Sequence, residues 1–431
     1  MAKDPISTES PESLPSVTDS QGKISPIQDQ SAVTLSYLIL TFLKIGSTAF
    51  GGFMSLISVV ESFVVQRRRL ITHEEMMEGI SLAAILPGPM AANVIAYVGY
   101  RIHGLWGAVV SIVSSLLPSY LMILVFTIFY LRSGEIPAVN RAFEAFIPAM
   151  VAIILVAAWR MAQETIKSIR NWRAIVIAVT SGLLLKFVGG FYMTLVIILG
   201  AGLLGYFWYH KDVRRQANLA GAAYVESQMA ISKGRIIASL GFLSCFLILY
   251  IVPLPFIGDD SLARLFVTFS GMSLLLFGSG YVFIPMIQEL VVNTYGWVTQ
   301  PEFTNAIALG QFTPGPILIS AAAIGYSVKG FLGSLVATVG IFFPPAMLML
   351  TCSQILQHIK RSPIIQAALK GIRPAVVGLI FAAALAFAEP ASVHWVTGLI
   401  FVGSLFALIK WRAEVVIIIP IAGVVGVFLY P

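Results

Sequence analysis

Charge is scarce in this sequence. Asp, Glu, Lys and Arg make up 11% of its 431 residues, where a soluble domain carries roughly 25%. Cysteine is rarer still. Cys245 and Cys352 both fall inside apolar blocks, too few for a disulfide framework or a thiolate cluster, so they read as small core residues. Five scattered histidines offer no zinc or haem spacing. Walker, Rossmann and HExxH patterns are all missing, so ATP-driven work would need a partner chain, and nothing resembles a catalytic triad. The loops between apolar blocks are too short to hold a soluble active site. Together these absences argue against an enzyme, and no cofactor or metal is expected.

Apolar residues fill the space that charge leaves. They are 58% of the chain, with a mean hydropathy of +0.89. They lie in blocks long enough to cross a hydrocarbon core about 30 Å thick. Backbone polar groups cannot face lipid unpaired, so the spans must be helices, broken only where protein or water covers the break. The expected fold is an all-α polytopic membrane protein in the lipid bilayer. The net charge of +7 sits in short loops, which reads as membrane orientation rather than nucleic-acid binding.

Residues 1–31 are polar and Ser/Pro-rich, and are expected to form a disordered cytoplasmic tail. Apolar segments follow near 33–60, 79–100, 104–131, 142–162, 172–189 and 191–209. A basic loop covers 210–234, and a further segment spans 235–256. Six more lie near 262–290, 304–327, 330–356, 366–388, 393–409 and 414–430. That gives about 13 transmembrane segments.

The two sets of six are copies. Leu86-Pro87-Gly88-Pro89 returns as Thr313-Pro314-Gly315-Pro316. Phe50-Gly51-Gly52 returns as Phe277-Gly278-Ser279-Gly280. Gly99, Tyr100, Gly104, Gly107, Pro118 and Pro148 all recur 226 residues later. The chain is therefore a first repeat at 32–209, the cytoplasmic loop, a linker helix at 235–256 and a second repeat at 257–431. Six crossings return the chain to its starting side and the linker carries it over, so the repeats are expected to have inverted topology, a common transporter architecture.

Lys and Arg counting favours a cytoplasmic N-terminus, with 18 residues inside and 8 outside. The outer cluster Arg67-Arg68-Arg69 is discordant. It would lie inside if the Phe50 and Pro87 segments were re-entrant hairpins, and the count leaves both arrangements open.

Pro-Gly-Pro breaks a helix. The half-helix after Pro89 would aim free N–H groups, at Met90 to Asn93, into a central cavity, and Ile317 to Ser320 after Pro316 would do the same. Helix N-termini favour anions. Expected substrate-binding residues are Lys44, Phe50, Gly51, Gly52, Pro87, Gly88, Pro89, Asn93, Gly278, Gly280, Thr313, Pro314, Gly315 and Pro316. Ser47, Thr48, Gln311 and Ser320 add neutral hydrogen-bonding groups. Lys44, within the first segment, is the leading cation, with snorkelling as its alternative use. Glu61 and Glu289, at similar positions after their glycine motifs, are candidate proton-coupling carboxylates. Arg101 and Arg373 are candidate gates. Interfacial anchoring is the plainer role for all four.

The paired Phe50-Gly51-Gly52, Leu86-Pro87-Gly88-Pro89 and Gly99-Tyr100-Arg101 motifs, with their second copies, resemble the chromate ion transporter family in its long-chain, two-domain form. The likeness runs from about residue 35 to 430. It implies secondary active export of chromate across the plasma membrane, giving chromate resistance, with sulfate as a structural mimic. Transport is expected to be driven by a gradient, by proton exchange or by the membrane potential, with protons the candidate coupling ion and a homodimer the candidate assembly. The alternatives are a transporter or passive channel for another oxyanion such as sulfate.

Overall fold

The computed structural model describes residues 34–49, 53–133, 136–168, 172–188, 191–219, 241, 261–276, 283–353, 362–388 and 394–430. The N-terminal tail, the linker helix apart from Gly241 and most of the basic loop lie outside them. So do Phe50, Gly51, Gly52, Phe277, Gly278 and Gly280. The described residues are almost all helical, in fourteen α-helices with three π-helical turns and one 3-10 turn. Five stretches are long and apolar enough to cross a membrane: Met90–Arg132, Pro137–Gln163, Met193–Arg215, Ile317–Ser353 and Pro363–Ala388.

The first repeat opens with α1 (Leu35–Thr48) and α2 (Phe53–Glu61), the latter continued by a π-helical turn, Ser62–Arg67. The chain folds back between them. Lys44 Nζ lies 5.6 Å from the Phe63 ring and the Arg68 guanidinium 5.5 Å from Tyr37. Contacts that converge toward residues 50–52 from both sides mean antiparallel arms. α3 (His73–Ala83) then pairs with the first arm of α4 (Met90–Ser133). Glu75 bonds Arg101, and Gly79 abuts Tyr97. Residues equally distant from Gly88 meet, so this segment is also a helical hairpin, with Pro87-Gly88-Pro89 at its tip.

A second reversal ends that arm. Gly104 has φ 60° and ψ −152°, a conformation open to glycine almost alone. Eight residues along a straight helix lie about 12 Å apart, yet a Cβ on Gly99 would overlap the Gly107 carbonyl. The arm Met90–Ile102 therefore doubles back on the remainder of α4. At thirteen residues it is about 20 Å long, too short to span. α5 (Pro137–Ser168), α6 (Trp172–Phe187) and α7 (Phe191–Leu219) complete the repeat.

The second repeat reproduces each device. It consists of α8 (Leu262–Ser273), α9 (Phe283–Gln288) with its π-turn Glu289–Thr294, α10 (Gln300–Phe312), α11 (Ser320–Ser353), α12 (Pro363–Ala388), α13 (Trp395–Phe406) and α14 (Val415–Leu429). Thr72 with Glu75 and Thr299 with Glu302 form matching capping boxes. Gly330 repeats the φ and ψ of Gly104 within a few degrees. One residue fewer separates the second tip from its Gly-Tyr pair (Gly315 to Gly325 against Gly88 to Gly99), and there α11 is preceded by a 3-10 turn, Ile317–Ile319.

The repeats interlock. α5 packs on α13 and α14 of the other repeat, and α12 packs on α6 and α7. Both pairings that glycine contacts resolve are antiparallel. Gly202 meets Ile372 while Gly205 meets Ala367, and Gly423 meets Phe146 while Gly426 meets Arg141.

Packing nevertheless differs between the hairpin pairs. α9 and α10 press against α5, α12 and α14, and the π-turn after α9 reaches α7. Residues Phe303–Gln311 are all buried and belong largely to the main apolar core. Among the described residues, α2 and α3 make no comparable packing against α5, α7 or α12. The first hairpins form their own cluster, with Leu274, Leu348, Met349 and Cys352 as their link to the second repeat.

Candidate functional site

The two Pro-Gly-Pro tips lie where the repeats exchange contacts. Gly88 and Gly315 sit at φ 112° and 101°, and the turns they make leave each glycine N–H pointing across to the other repeat. Gly88 N–H donates to Leu276 O at 2.6 Å, and Gly315 N–H donates to Ala49 O at 2.8 Å. Leu276 immediately precedes the second glycine motif and Ala49 the first. Each tip is therefore seated at the entrance of the other repeat's glycine motif.

The long helices support the tips from a second side. Ser119 follows Pro118 near the centre of the long arm of α4, and its hydroxyl donates to Pro314 O. Its counterpart Pro345, on α11, packs against Gly88. Sequence reading found the motifs but not these partners. Ser119 and Pro345 are 226 residues apart but differ in type, so identity matching passes over them.

The expected ring of free N–H groups is smaller than the motifs suggest. Asn93 N–H is spent on Pro89 O, Ile319 N–H on Pro316 O, and Ser320 N–H on the 3-10 turn. At the first tip Asn93 is wholly buried. Its Nδ2 donates to Pro87 O at 3.2 Å and its Oδ1 has no partner among the described residues. At the second tip the Thr313 hydroxyl donates to Gly310 O and that of Ser320 to Ile317 O, while Gln311 Nε2 is buried with no partner among the described residues. The first tip thus keeps a spare acceptor and the second a spare donor.

Lys44 lies on α1 five residues before Ala49, whose carbonyl accepts from Gly315 N–H. Lys44, Ser47 and Thr48 share one exposed face of α1. The two hydroxyls donate back to Leu43 O and Lys44 O. Gly271 stands where the second repeat would place this lysine, so the first tip lacks an equivalent cation.

The other candidates do not gather at the tips. Glu61 pairs with His73 at 3.1 Å, joining α2 to α3. The π-turns correct the proposed equivalence of Glu61 and Glu289: in their register Glu61 matches Gln288, and Glu289 matches Ser62. Gln288 Nε2 donates to Gln300 Oε1 at 3.0 Å, and Gln300 is the counterpart of His73. An ionisable bridge in one repeat is an amide bridge in the other. Arg373 is exposed on α12, beside buried Pro374.

Arg101 clamps the open end of the first hairpin. It bonds Glu75, whose carboxylate also accepts the Thr72 N–H. Burial pushes the Glu75 carboxyl up, but the bonds from Arg101 and Thr72 outweigh it and hold the carboxyl below its ordinary value. A depressed folded-state pKa gives stability that is complete above the unfolded value and lost as pH falls through the folded one. The clamp is therefore constant from pH 6 upward and weakens only in acid. With Arg101 45% and Glu75 21% exposed, Arg101→Ala should cost about 1 kcal/mol. Amide hydrogen exchange of α3 should then quicken about fivefold at neutral pH, and the variant should lose the acid dependence of the wild type.

The sequence model of the chromate transporter family matches residues 36–206 and 263–427. An uncharacterised transporter of Methanocaldococcus jannaschii is 29% identical, over 86% of this chain and 88% of its own length. A chromate transport protein of Cupriavidus metallidurans is 28% identical, over 92% and 94%. The uncharacterised transporter YwrA of Bacillus subtilis is 32% identical over 38% of this chain, which is 93% of its own length. No solved structure matches the chain.

Proposed function

The chain belongs to the chromate transporter family, and from that premise we propose that it is a secondary active transporter exporting chromate across the plasma membrane. The packing difference between the hairpin pairs carries this reading. Two copies of one sequence design, one docked on α5, α12 and α14 and the other making no comparable packing against α5, α7 or α12 among the described residues, are what alternating access requires of an inverted-repeat protein. A passive channel has no need of the difference. Because the docked pair belongs to the second repeat, the protein is in the state with the first-repeat mouth open.

The topology follows from the hairpins. With both motif segments of each repeat re-entrant, each repeat contributes four crossings and the linker one. Arg67-Arg68-Arg69 then moves inside, and the bias becomes 21 basic residues inside against 5 outside. The antiparallel pairings of α7 with α12 and α5 with α14 support inversion, since repeats of equal orientation would make both pairings parallel. The N-terminus is cytoplasmic, so the open mouth faces inward.

Chromate binds at the second tip, between Pro314-Gly315-Pro316 and the Phe50-Gly51-Gly52 motif, with Lys44 and Gln311 as donors. Desolvating a dianion is costly, and one cation plus preorganised N–H groups offset part of that cost. An inside-negative potential favours export by roughly 2.3 kcal/mol per charge per 100 mV. Export of this kind confers chromate resistance. Sulfate, of the same shape and charge, is the expected competitor and the alternative substrate.

Repeat equivalence supplies the test. Phe303 on α10 and Phe387 on α12 have ring centroids 5.6 Å apart, and their counterparts are Met76 on α3 and Met161 on α5. Closing the inner mouth should bring Met76 to Met161. In a background without native cysteines, a short bismaleimide should link M76C to M161C and stop chromate flux in membrane vesicles. The F303C/F387C pair should link in the opposite state. An imposed gradient should shift the two yields in opposite senses. Fully active protein that never links M76C to M161C would refute the alternation.

A further inference from the structure

A polar cavity of about 540 Å³ lies away from the tips. Lys186 at the end of α6, Gln288, Glu289 and Asn293 after the second glycine motif, and Gln300 at the start of α10 line it, with alanines of α12 closing one wall. In the proposed topology all of these ends lie outside, so the cavity is the outer vestibule above the docked hairpins. The inference rests on that topology and deepens it.

The donors and charges of the cavity are unevenly committed. Gln288 Nε2 bonds Gln300 Oε1, which leaves Gln300 Nε2, a buried atom, without a partner. Asn293 Nδ2 is committed to Glu289 at 2.7 Å. Lys186 forms no ion pair among the described residues. A cation and the side chain of Gln300, whose buried Nε2 reaches an anion only by turning toward the cavity, therefore line one polar space with a single carboxylate.

We propose that this vestibule is a second oxyanion site whose affinity is set by the proton on Glu289. With Glu289 ionised, the carboxylate cancels the charge of Lys186 and repels an anion. With Glu289 protonated, Lys186 acts alone, and Gln300 Nε2 supplies a directed hydrogen bond. A tetrahedral dianion and one proton therefore bind together, the proton passing from solvent water to a Glu289 carboxylate oxygen. Few other charges face Glu289. Lys186 comes from α6, α12 contributes only alanines and Leu385, and Thr194–Leu199 at the outer end of α7 has no ionisable group. On α10 the nearest is Glu302, which is committed to the Thr299 N–H and hydroxyl.

The outer mouth alone carries this carboxylate. At the inner mouth Arg412 is the counterpart of Lys186, but Ser62 stands where Glu289 would be, and the matching bridge is Glu61 with His73. The two mouths thus differ in what they offer the same substrate.

Sulfate binding to the full-length protein in lipid nanodiscs, at pH 5 to 8, tests the inference, with proton uptake recorded in weak buffer. Wild type should bind more weakly as pH rises and take up close to one proton per vestibule sulfate. Glu289→Gln should bind with a flat pH profile and no proton uptake. Lys186→Gln should weaken this phase about tenfold, and Lys186→Arg should restore most of it. Chromate flux with an unchanged pH profile and proton uptake in Glu289→Gln would overturn the vestibule while leaving the transporter standing. Absence of both binding and flux for chromate and sulfate in folded wild type would overturn both readings.

Discussion

Gly88→Ala should abolish function, and Gly315→Ala, the same change at the sister tip, should not. Both glycines hold a left-handed backbone, which costs a residue with a Cβ about 1–2 kcal/mol. Their surroundings set them apart. A Cβ on Gly88 would overlap Pro345 Cβ and approach its Cγ to 2.9 Å. The pyrrolidine ring is rigid and sits within a helix, so overpacking adds about 1–3 kcal/mol. A Cβ on Gly315 would meet Ser119 Oγ at 2.8 Å. That hydroxyl can rotate away, giving up its bond to Pro314 O for about 1 kcal/mol. Thermal unfolding in detergent and chromate flux should both rank wild type above Gly315→Ala above Gly88→Ala. Because the obstructing atom is Cβ, Pro345→Ala should not rescue Gly88→Ala, whereas Pro345→Gly should recover part of the loss. Equal damage at both tips would mean that backbone strain alone decides and that the Pro345 contact is incidental.

This difference between sister tips shows what the sequence could and could not reveal. The Pro-Gly-Pro copies and the 226-residue offset display the duplication openly, since glycine and proline at fixed spacing have few other uses. Partner choice is hidden. That Gly88 reaches Leu276, and Gly315 reaches Ala49, depends on how the repeats interlock, and local pattern carries no trace of it. The antiparallel pairing of α1 with α2 is equally silent, because a crossing helix and a re-entrant hairpin satisfy the same backbone bonds with the same hydropathy. Only Arg67-Arg68-Arg69 hinted at it, as a charge on the wrong side. Glu61 and Glu289 looked equivalent because they lie at similar distances from their glycine motifs, but the π-turns set the register one residue off. The vestibule was not legible, because Lys186 and Gln300 lie 114 positions apart and neither belongs to a motif.

Lys44→Ala should lower chromate kcat/KM by about tenfold to a hundredfold while leaving thermal stability within about 1 kcal/mol of wild type. The lysine is exposed, and surface substitutions of that kind seldom disturb folding, so a loss of flux would report the site rather than the scaffold. Charge-assisted contacts to an anion lie in the range that produces such a loss. Nothing nearby compensates. Ser47 and Thr48 spend their hydroxyl protons on their own helix, and the sister position is Gly271. The Phe63 ring, 5.6 Å from Nζ, orients the ammonium by a cation–π contact worth about 0.5–1 kcal/mol at an exposed site. Phe63→Leu should therefore reduce flux about two- to fivefold through KM, with kcat preserved. Lys44→Arg should retain more activity than Lys44→Gln if charge is what the substrate requires. If Lys44→Gln carried chromate as well as wild type, the second tip would lose its only proposed cation. The anion would then have to be held by backbone N–H groups and Gln311 alone, and the claim that the two tips divide their roles by charge would fail with it.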